Sequence, residues 1–386
     1  MLNHHNSALK GVDNFIRPLL KQVLQEERIG ISRDSIELRS VTSSCGKLKG
    51  DRLKLSIPYA GQKLVWQVLF DSQSQTSSPD FIFDDETFLP NPTNEMILNE
   101  VKSLFFWNPT DENSLFKVLI ELLLCYKRYQ IQLLEQKAEL PVEYTTLIDK
   151  AKICEEDVEV IILPIGGKPM EVKFVIRIAM DFSQLPIYDN NADSNAVMLI
   201  VTYYGPEWDR IVPQLYLSKT LEEVLGGSNS LHIPPFPPNK YLMNYVPEIK
   251  KYLNEKINNV VSTYEKKKNF VAAFIALQRG SIIEYDALKF SQIVVLLEYR
   301  DFHFLVYCHL PVGFPKDKPI ITLQSIYHMC AQGKLYSYSC DDFPYSPRWE
   351  PFLMVTKLLT CIMKNVAPEF KTNSIKVGKS FLMEKV

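Results

Sequence analysis

The sequence predicts an α+β protein built of repeated modules, each an antiparallel meander flanked by helices. Runs alternating between apolar and polar residues, the period of half-buried strands, occur in groups. Stretches with apolar residues at helical spacing separate those groups. The order helix, meander, helix is used at least twice along 386 residues, a length that suits two or three domains.

The elements follow in order. Residues 12–27, VDNFIRPLLKQVLQEE, carry apolar side chains at helical spacing, with Pro18 near enough to the start to be tolerated. RLKLSIPYAGQKLVWQVLF then predicts two strands folded about Ala60-Gly61, with Leu64, Trp66, Val68 and Phe70 on one face. PDFIF at 79–83 is a further strand. SLFKVLIELLLCYKRYQIQLLEQ at 114–136 is a helix too apolar all round for one exposed side, which predicts contact with another domain or subunit. Residues 157–218 hold four strand-like runs, VEVIILPI, MEVKFVIRIAM, AVMLIVTYY and PQLYLS. HIPPFPPNK at 232–240 has too much proline for a helix or a central strand and predicts a stiff extended connector.

A helix over about 244–277 ends near Gly280. Strands follow at KFSQIVVLLEY, FHFLVYCHL and PIITLQSIY, and the chain closes on the helix PFLMVTKLLTCIMKNVAPEF. The loop GFPKDKPIITL at 313–323 feeds its strand through Pro319, which has no N–H to give to a ladder and so suits a strand's first position.

With 46% hydrophobic residues, 23% charged and a net charge of −2, the chain is an ordinary globular protein, and nonspecific DNA binding is not expected. No run reaches the roughly 18 apolar residues of a membrane span. The N-terminal MLNHHNSALKGVDNF lacks an apolar signal core, and the expectation is a cytosolic or nuclear protein. Seven cysteines, Cys45, Cys125, Cys154, Cys308, Cys330, Cys340 and Cys361, never spaced C-x-x-C, fit a reduced compartment and no zinc site. Six histidines form neither H-E-x-x-H nor H-x-H, so neither a metal nor another cofactor is expected. His303 and His309, evenly spaced, share one face of a strand. EEDVE at 155–159 is a charged approach to a strand, and YEKKKN at 264–269 a solvated helix face.

One constellation is more specific. Phe314 and Pro315 stand nine and eight residues before Leu323, and Pro319 four before it. Trp349-Glu350-Pro351 comes twenty-six residues after Leu323, directly ahead of the closing helix. In an earlier copy Pro79 stands four residues before Phe83, and Trp107-Asn108-Pro109 twenty-four after it. This resembles the ubiquitin-conjugating (E2) fold, whose sheet carries a (Tyr/Phe)-Pro-x-x-x-Pro-x-x-x-Phe element with a Trp-x-Pro introducing the next helix. The middle segment, with only Pro213 four residues before Leu217, is similar in a more diverged way.

An E2 enzyme works through a thioester cysteine, preceded by a His-Pro-Asn turn whose asparagine amide stabilises the developing oxyanion. In the first copy the resemblance puts Leu89, Pro90 and Asn91 at the turn and Asn99 at the nucleophile position, which implies a lost nucleophile. In the second, His328-Met329-Cys330 stand around the turn, and Cys340 lies seventeen residues after Leu323, within one residue of the thioester position. Cys340 is either a nucleophile or a loop cysteine that falls there by chance. The adjacent Asp341 and Asp342 tend to raise a thiol pKa.

Both copies thus resemble ubiquitin E2 variants (UEV/RWD-like domains) in tandem. Through IPYAG, PDFIF, WNP, VLGGSNSLHIP, IEYDALKF and FPYSPRW, the chain is identified as a member of the BRE family over about residues 10–370. The resemblance implies a non-catalytic scaffold. Its expected partners are a JAMM metalloprotease specific for Lys63-linked ubiquitin, an Abraxas-type catalytically silent subunit and a von Willebrand A-like adaptor, as in the BRISC deubiquitinase and its DNA-repair sister complex. Polyubiquitin is a further candidate ligand, and no direct contact with nucleic acid or membrane is implied. The implied domains are an N-terminal E2 variant at 10–143, a diverged RWD-like domain at 155–231, a connector and long helix at 232–270, a C-terminal E2 variant at 271–370 and a tail at 371–386. The alternative is a divergent, active conjugating enzyme using Cys340.

Overall fold

A computed structural model describes residues 11–25, 29–31, 34–44, 50–137, 139–163, 171–186, 197–227, 231–238 and 240–383, with side chains as far as 378. The architecture is α+β, with three antiparallel sheets whose strands follow one another in chain order. The chain divides into two compact units: Met1–Met180, Ala192–Glu222 and Leu231–Tyr252 form one, and Asp181–Asn191, Glu223–Ser230 and Leu253–Val386 the other.

The first unit opens on α1 (Arg17–Gln25), which buries Leu19, Leu20, Val23 and Leu24. The helix is shorter than its apolar pattern because the turn at Asp13 takes up the preceding residues, the Asp13 carbonyl accepting from the N–H groups of Ile16 and Arg17. Strands β1 (Glu37–Thr42), β2 (Arg52–Tyr59), β3 (Gln62–Leu69) and β4 (Asp80–Ile82) form the first sheet. Tyr59 pairs with Gln62, so Ala60-Gly61 is a two-residue turn, and both residues have the positive φ, 47° and 69°, that such a hairpin demands. Leu64, Trp66 and Val68 face the core as their alternation predicts. Trp66 is closed over by Phe83, 5.2 Å away edge to face, and by Phe88.

Helices α2 (Asn94–Glu100), α3 (Lys102–Phe105), α4 (Ser114–Glu135) and α5 (Leu140–Asp149) follow. The second sheet is β5 (Val158–Leu163), β6 (Glu171–Ile178), β7 (Val197–Tyr204) and β8 (Arg210–Tyr216). Its Ile161 and Val175 belong to the same core as Leu55, Trp66 and Leu119, so the two sheets of this unit share one interior. That sharing explains α4. Gln130 on this helix accepts from the Ile162 N–H at 2.9 Å, and the Lys127 ammonium donates to the Glu155 carbonyl, while Leu115, Val118, Leu119 and Leu122 fill the core. It explains β5 too: a strand covered on both faces has no alternation to show. After α6 (Lys219–Val224), the proline-rich stretch is held against this unit, with Phe236 4.9 Å from the Tyr245 ring and the Tyr245 hydroxyl donating to the Pro234 carbonyl at 2.6 Å. Helix α7 runs Leu242–Leu277, and the division between the units falls within it.

The second unit holds the sheet β13-β12-β11-β10-β9, made of β9 (Ile282–Tyr285), β10 (Gln292–Tyr299), β11 (Phe302–His309), β12 (Ile320–Met329) and β13 (Leu335–Cys340). Phe270, Val271 and Phe274 of α7 pack with the inward residues of this sheet, such as Ile293, Phe304, Val306 and Leu323. The closing helix α8 (Pro351–Cys361) passes through a π turn at Ile362–Val366 into α9 (Ala367–Met383). Helix therefore continues well past residue 370, and Ser374 in it is fully buried. Cys45 lies outside the described residues, and the other six cysteines are free thiols.

Candidate functional site

The residues that the E2 resemblance singles out fall in two places. In the first unit, the turn after β4 carries Leu89 with φ +49°, a strained conformation for a branched residue. Thr93 caps α2, its hydroxyl accepting from the Met96 N–H at 3.2 Å, and that helix brings Asn99 back to the turn. Leu89, Pro90 and Asn99 then line one cavity of about 460 Å³, whose far wall is Cys125, Arg128 and Tyr129 of α4. Asn91 is exposed and outside that lining. The Arg128 guanidinium pairs with Glu100, and the Tyr129 and Thr87 hydroxyls meet across the rim.

This cavity holds no activated nucleophile. Its one thiol, Cys125, is buried; burial raises its pKa and the Glu100 charge raises it further, which disfavours the thiolate that acyl transfer requires. The carboxamide of Asn99 is not a nucleophile. Among the described residues no group of three or more His, Cys, Asp or Glu is placed to hold a metal ion.

The surrounding signature residues have structural roles. Pro79 precedes β4 and Phe83 follows it, packing between Trp66 and Phe88. Trp107 is half-buried against Phe70, its indole N–H without a partner. Pro109 does not start a helix. Asn108 makes an Asx turn, accepting from the N–H and hydroxyl of Thr110 at 3.1 and 2.7 Å, and α4 begins five residues after the proline, at Ser114.

In the second unit, Phe314 is 1% exposed and packs 5.3 Å from Phe270, and the Phe314-Pro315 peptide is cis. The Tyr345 hydroxyl donates to the Pro315 carbonyl and ties this corner down. The strand begins at Ile320, one residue after Pro319. Trp349 is half-buried at the edge of the core, and Pro351 occupies the first turn of α8, where its missing N–H has no helical partner to forgo.

Cys340 is not in a loop. It ends β13, pairs with Ile321 and is 2% exposed. Its thiol is pushed up to about 11, first by burial and then by Cys361, Asp341 and Asp342. At neutral pH it is therefore a protonated, buried side chain. His328 lies toward the other end of β12, seven residues from Ile321, which is roughly 20 Å at strand rise. Its Nδ1 is 3.0 Å from the Ser325 hydroxyl, and its ring packs on Phe302. The fold separates the two residues that the sequence marked.

Two carboxylates that carry much of the first unit's polar structure stand outside the sequence-marked set. Glu159, in the EEDVE stretch, is not a surface charge but a 5% exposed clasp: Oε1 accepts from the Ile31 N–H at 2.9 Å and Oε2 from the Ala60 N–H at 2.7 Å. A Cβ at Gly30, where φ is +67°, would lie 2.7 Å from Glu159 Oε1. Glu143 accepts from the Leu242 N–H at the start of α7, at 2.7 Å. For Glu159 a signal existed, a single acid inside the apolar run VEVIIL; for Glu143 there was none.

The family model described as "Brain and reproductive organ-expressed protein (BRE)" matches residues 10–329. A protein of Danio rerio named "BRISC and BRCA1-A complex member 2" is 34% identical over 96% of this chain and 98% of its own length. A Branchiostoma floridae protein of the same name is 34% identical over 97% of this chain and 98% of its own. With matches of that extent, the chain belongs to the BRE family.

Proposed function

We propose that this chain is a non-catalytic scaffold subunit of a Lys63-specific deubiquitinase assembly of the BRISC and BRCA1-A type, working in cytoplasm and nucleus. The observation that carries the reading is end-to-end similarity, at 34% identity, to two proteins named as members of those complexes. In this reading the chain joins a JAMM metalloprotease to an Abraxas-type silent subunit and a von Willebrand A-like adaptor, and polyubiquitin is a ligand of the assembly. The meanders at 10–143 and 271–370 are E2 variants, and the one at 155–231 is a diverged RWD-like sheet. Two things support a variant over an active conjugating enzyme: Cys340 is buried with its thiol pushed up to about 11, and Asn99 stands where a nucleophile would be needed.

The test is reconstitution. The full chain, co-expressed with a JAMM metalloprotease, its silent partner and the adaptor, should copurify with them and raise cleavage of Lys63-linked diubiquitin over that of the other three together. It should form no reducible ubiquitin adduct with an E1 enzyme and ATP. Failure to copurify refutes the scaffold, and an adduct lost in Cys340→Ser restores the enzyme.

A further inference from the structure

Each of the three open sheets ends in two edge strands, and among the described residues all of these edges but one are blunted against pairing with a further strand. β1 is bulged between Leu38 and Ser40, β4 has three residues, and β9 has four and a bulge. β8 carries Pro213 in its middle, and the β5 edge is covered by α4, where Gln130 takes the Ile162 N–H. β13 has none of these devices. Its sequence, LYSYSC, includes neither lysine nor proline. Its pairing with β12 is unbroken from Ser337 to Cys340, the irregularity of that pair falling on β12 between Gln324 and Met329. Among the described residues no strand lies beyond it, and no side chain bonds to the outer side of its backbone.

The side chains along this edge are self-complementary. Tyr336 stacks on Phe370 and Cys340 is buried, so Tyr338, between them, is on the same core-side face. It is nonetheless 43% exposed, because the sheet stops there. Lys334 stands four residues before Tyr338 and Asp342 four after it, both exposed and without an ion-pair partner among the described residues. An antiparallel strand related by a two-fold axis through Tyr338 pairs each residue before the axis with the one equally far beyond it. Lys334 then faces Asp342 of the other copy at both ends, Ser337 faces Ser339, and Tyr338 faces its own counterpart. An axis at Ser337 would set Lys334 against Cys340, and one at Ser339 would set it against Pro344. Opposite charges and aromatic rings directly across a strand pair stabilise it, which selects the axis at Tyr338.

We infer that β13 is a self-association edge: two copies of this chain pair their β13 strands antiparallel about a two-fold axis at Tyr338, joining their five-stranded sheets into one continuous sheet. The two Lys334–Asp342 pairs set the register, and the Tyr338 rings cover each other. One strand pair is a small contact, so the dimer is weak and forms at high concentration. It does not depend on the scaffold reading, because it needs no other subunit.

The test is sedimentation equilibrium of the full chain from about 1 to about 300 μM, the range in which small interfaces form. The average mass should rise with concentration toward that of a dimer. Lys334→Glu and Asp342→Lys should each weaken association by at least about tenfold, because each sets like charges opposite one another at both ends of the strand pair. An equimolar mixture of the two variants should associate as tightly as the wild type, since the pair they form again has opposite charges at both ends. Unchanged melting curves show that both variants are folded. A monomer at every concentration overturns the proposal. So does a dimer that is indifferent to either substitution, or one that the mixture fails to restore, since the contact would then lie elsewhere.

Discussion

Glu159→Ala should be among the most damaging single changes in the first unit. The carboxylate is 5% exposed and accepts two backbone N–H groups, of Ile31 and Ala60. Alanine leaves both donors buried and unpaired, at about 1–3 kcal/mol each, for a total of about 2–6 kcal/mol against a domain stability of about 5–15 kcal/mol. Glu159→Gln keeps one acceptor oxygen and turns an NH₂ toward the other N–H, so about 1–3 kcal/mol is expected. The assay is urea unfolding followed by tryptophan fluorescence in a Trp349→Phe background. Of the four tryptophans, Trp66, Trp107 and Trp208 then remain, all in the first unit. The pH dependence gives a second check. Burial raises the Glu159 pKa above its ordinary 4.5, opposed by the two N–H groups and Lys127. The native state thus holds its proton to higher pH than the unfolded chain. The contribution of Glu159 to stability is full below 4.5 and declines as pH rises through that value toward the folded pKa. The gap between wild type and Glu159→Gln should narrow over that range. An alanine variant within about 0.5 kcal/mol of its parent would refute the clasp, and a gap that widens with pH would refute the raised pKa.

Two further outcomes follow from burial and close approach. Brief alkylation of the native chain with iodoacetamide at pH 8 should modify the exposed Cys154, and should spare Cys340 and the fully buried Cys308 until the chain is unfolded, as read by peptide mass spectrometry; early labelling of Cys340 would refute its burial. Gly378→Ala places a Cβ 2.7 Å from the His328 ring, so it should destabilise the wild type, yet stabilise His328→Ala by up to about 1 kcal/mol through helix propensity, and additive melting shifts in the double-mutant cycle would show no such contact.

The sequence disclosed the parts of this fold whose exposure alternates. Central strands such as β3 and β11 read cleanly because one face is core and the other is open, and the Ala60-Gly61 turn was legible because few residues tolerate two successive positive φ values. The edge strands β1, β9 and β13 were missed, since most of their residues are exposed or half-buried on both faces and little hydrophobic pattern is left. The Asx turn at Asn108 accounts for the four residues between Pro109 and α4, which starts at Ser114 where its apolar pattern places it and not directly at the proline of Trp-x-Pro.

The marked site residues fared according to whether sequence distance matched spatial distance. Leu89, Pro90 and Asn99 meet because a short capped helix folds the chain back on itself over ten residues. His328 and Cys340 are about as near in sequence, but they are joined by a strand, a turn and a returning strand, and the Ile321–Cys340 pairing puts them at opposite ends of the ladder. Spacing carried over from a family motif predicts proximity only while the intervening secondary structure is the same. The same reasoning explains why Glu159, read as part of a charged approach to a strand, lies buried inside the strand itself. Between two sheets that share a core, an acid in a strand has no water to reach, and the backbone N–H groups of a hairpin turn and of the Gly30 turn are the donors left to satisfy it. The Ala60-Gly61 turn and the acid in VEVIIL are two halves of one contact, about a hundred residues apart in a sequence whose local periodicity describes each half well and the pairing not at all.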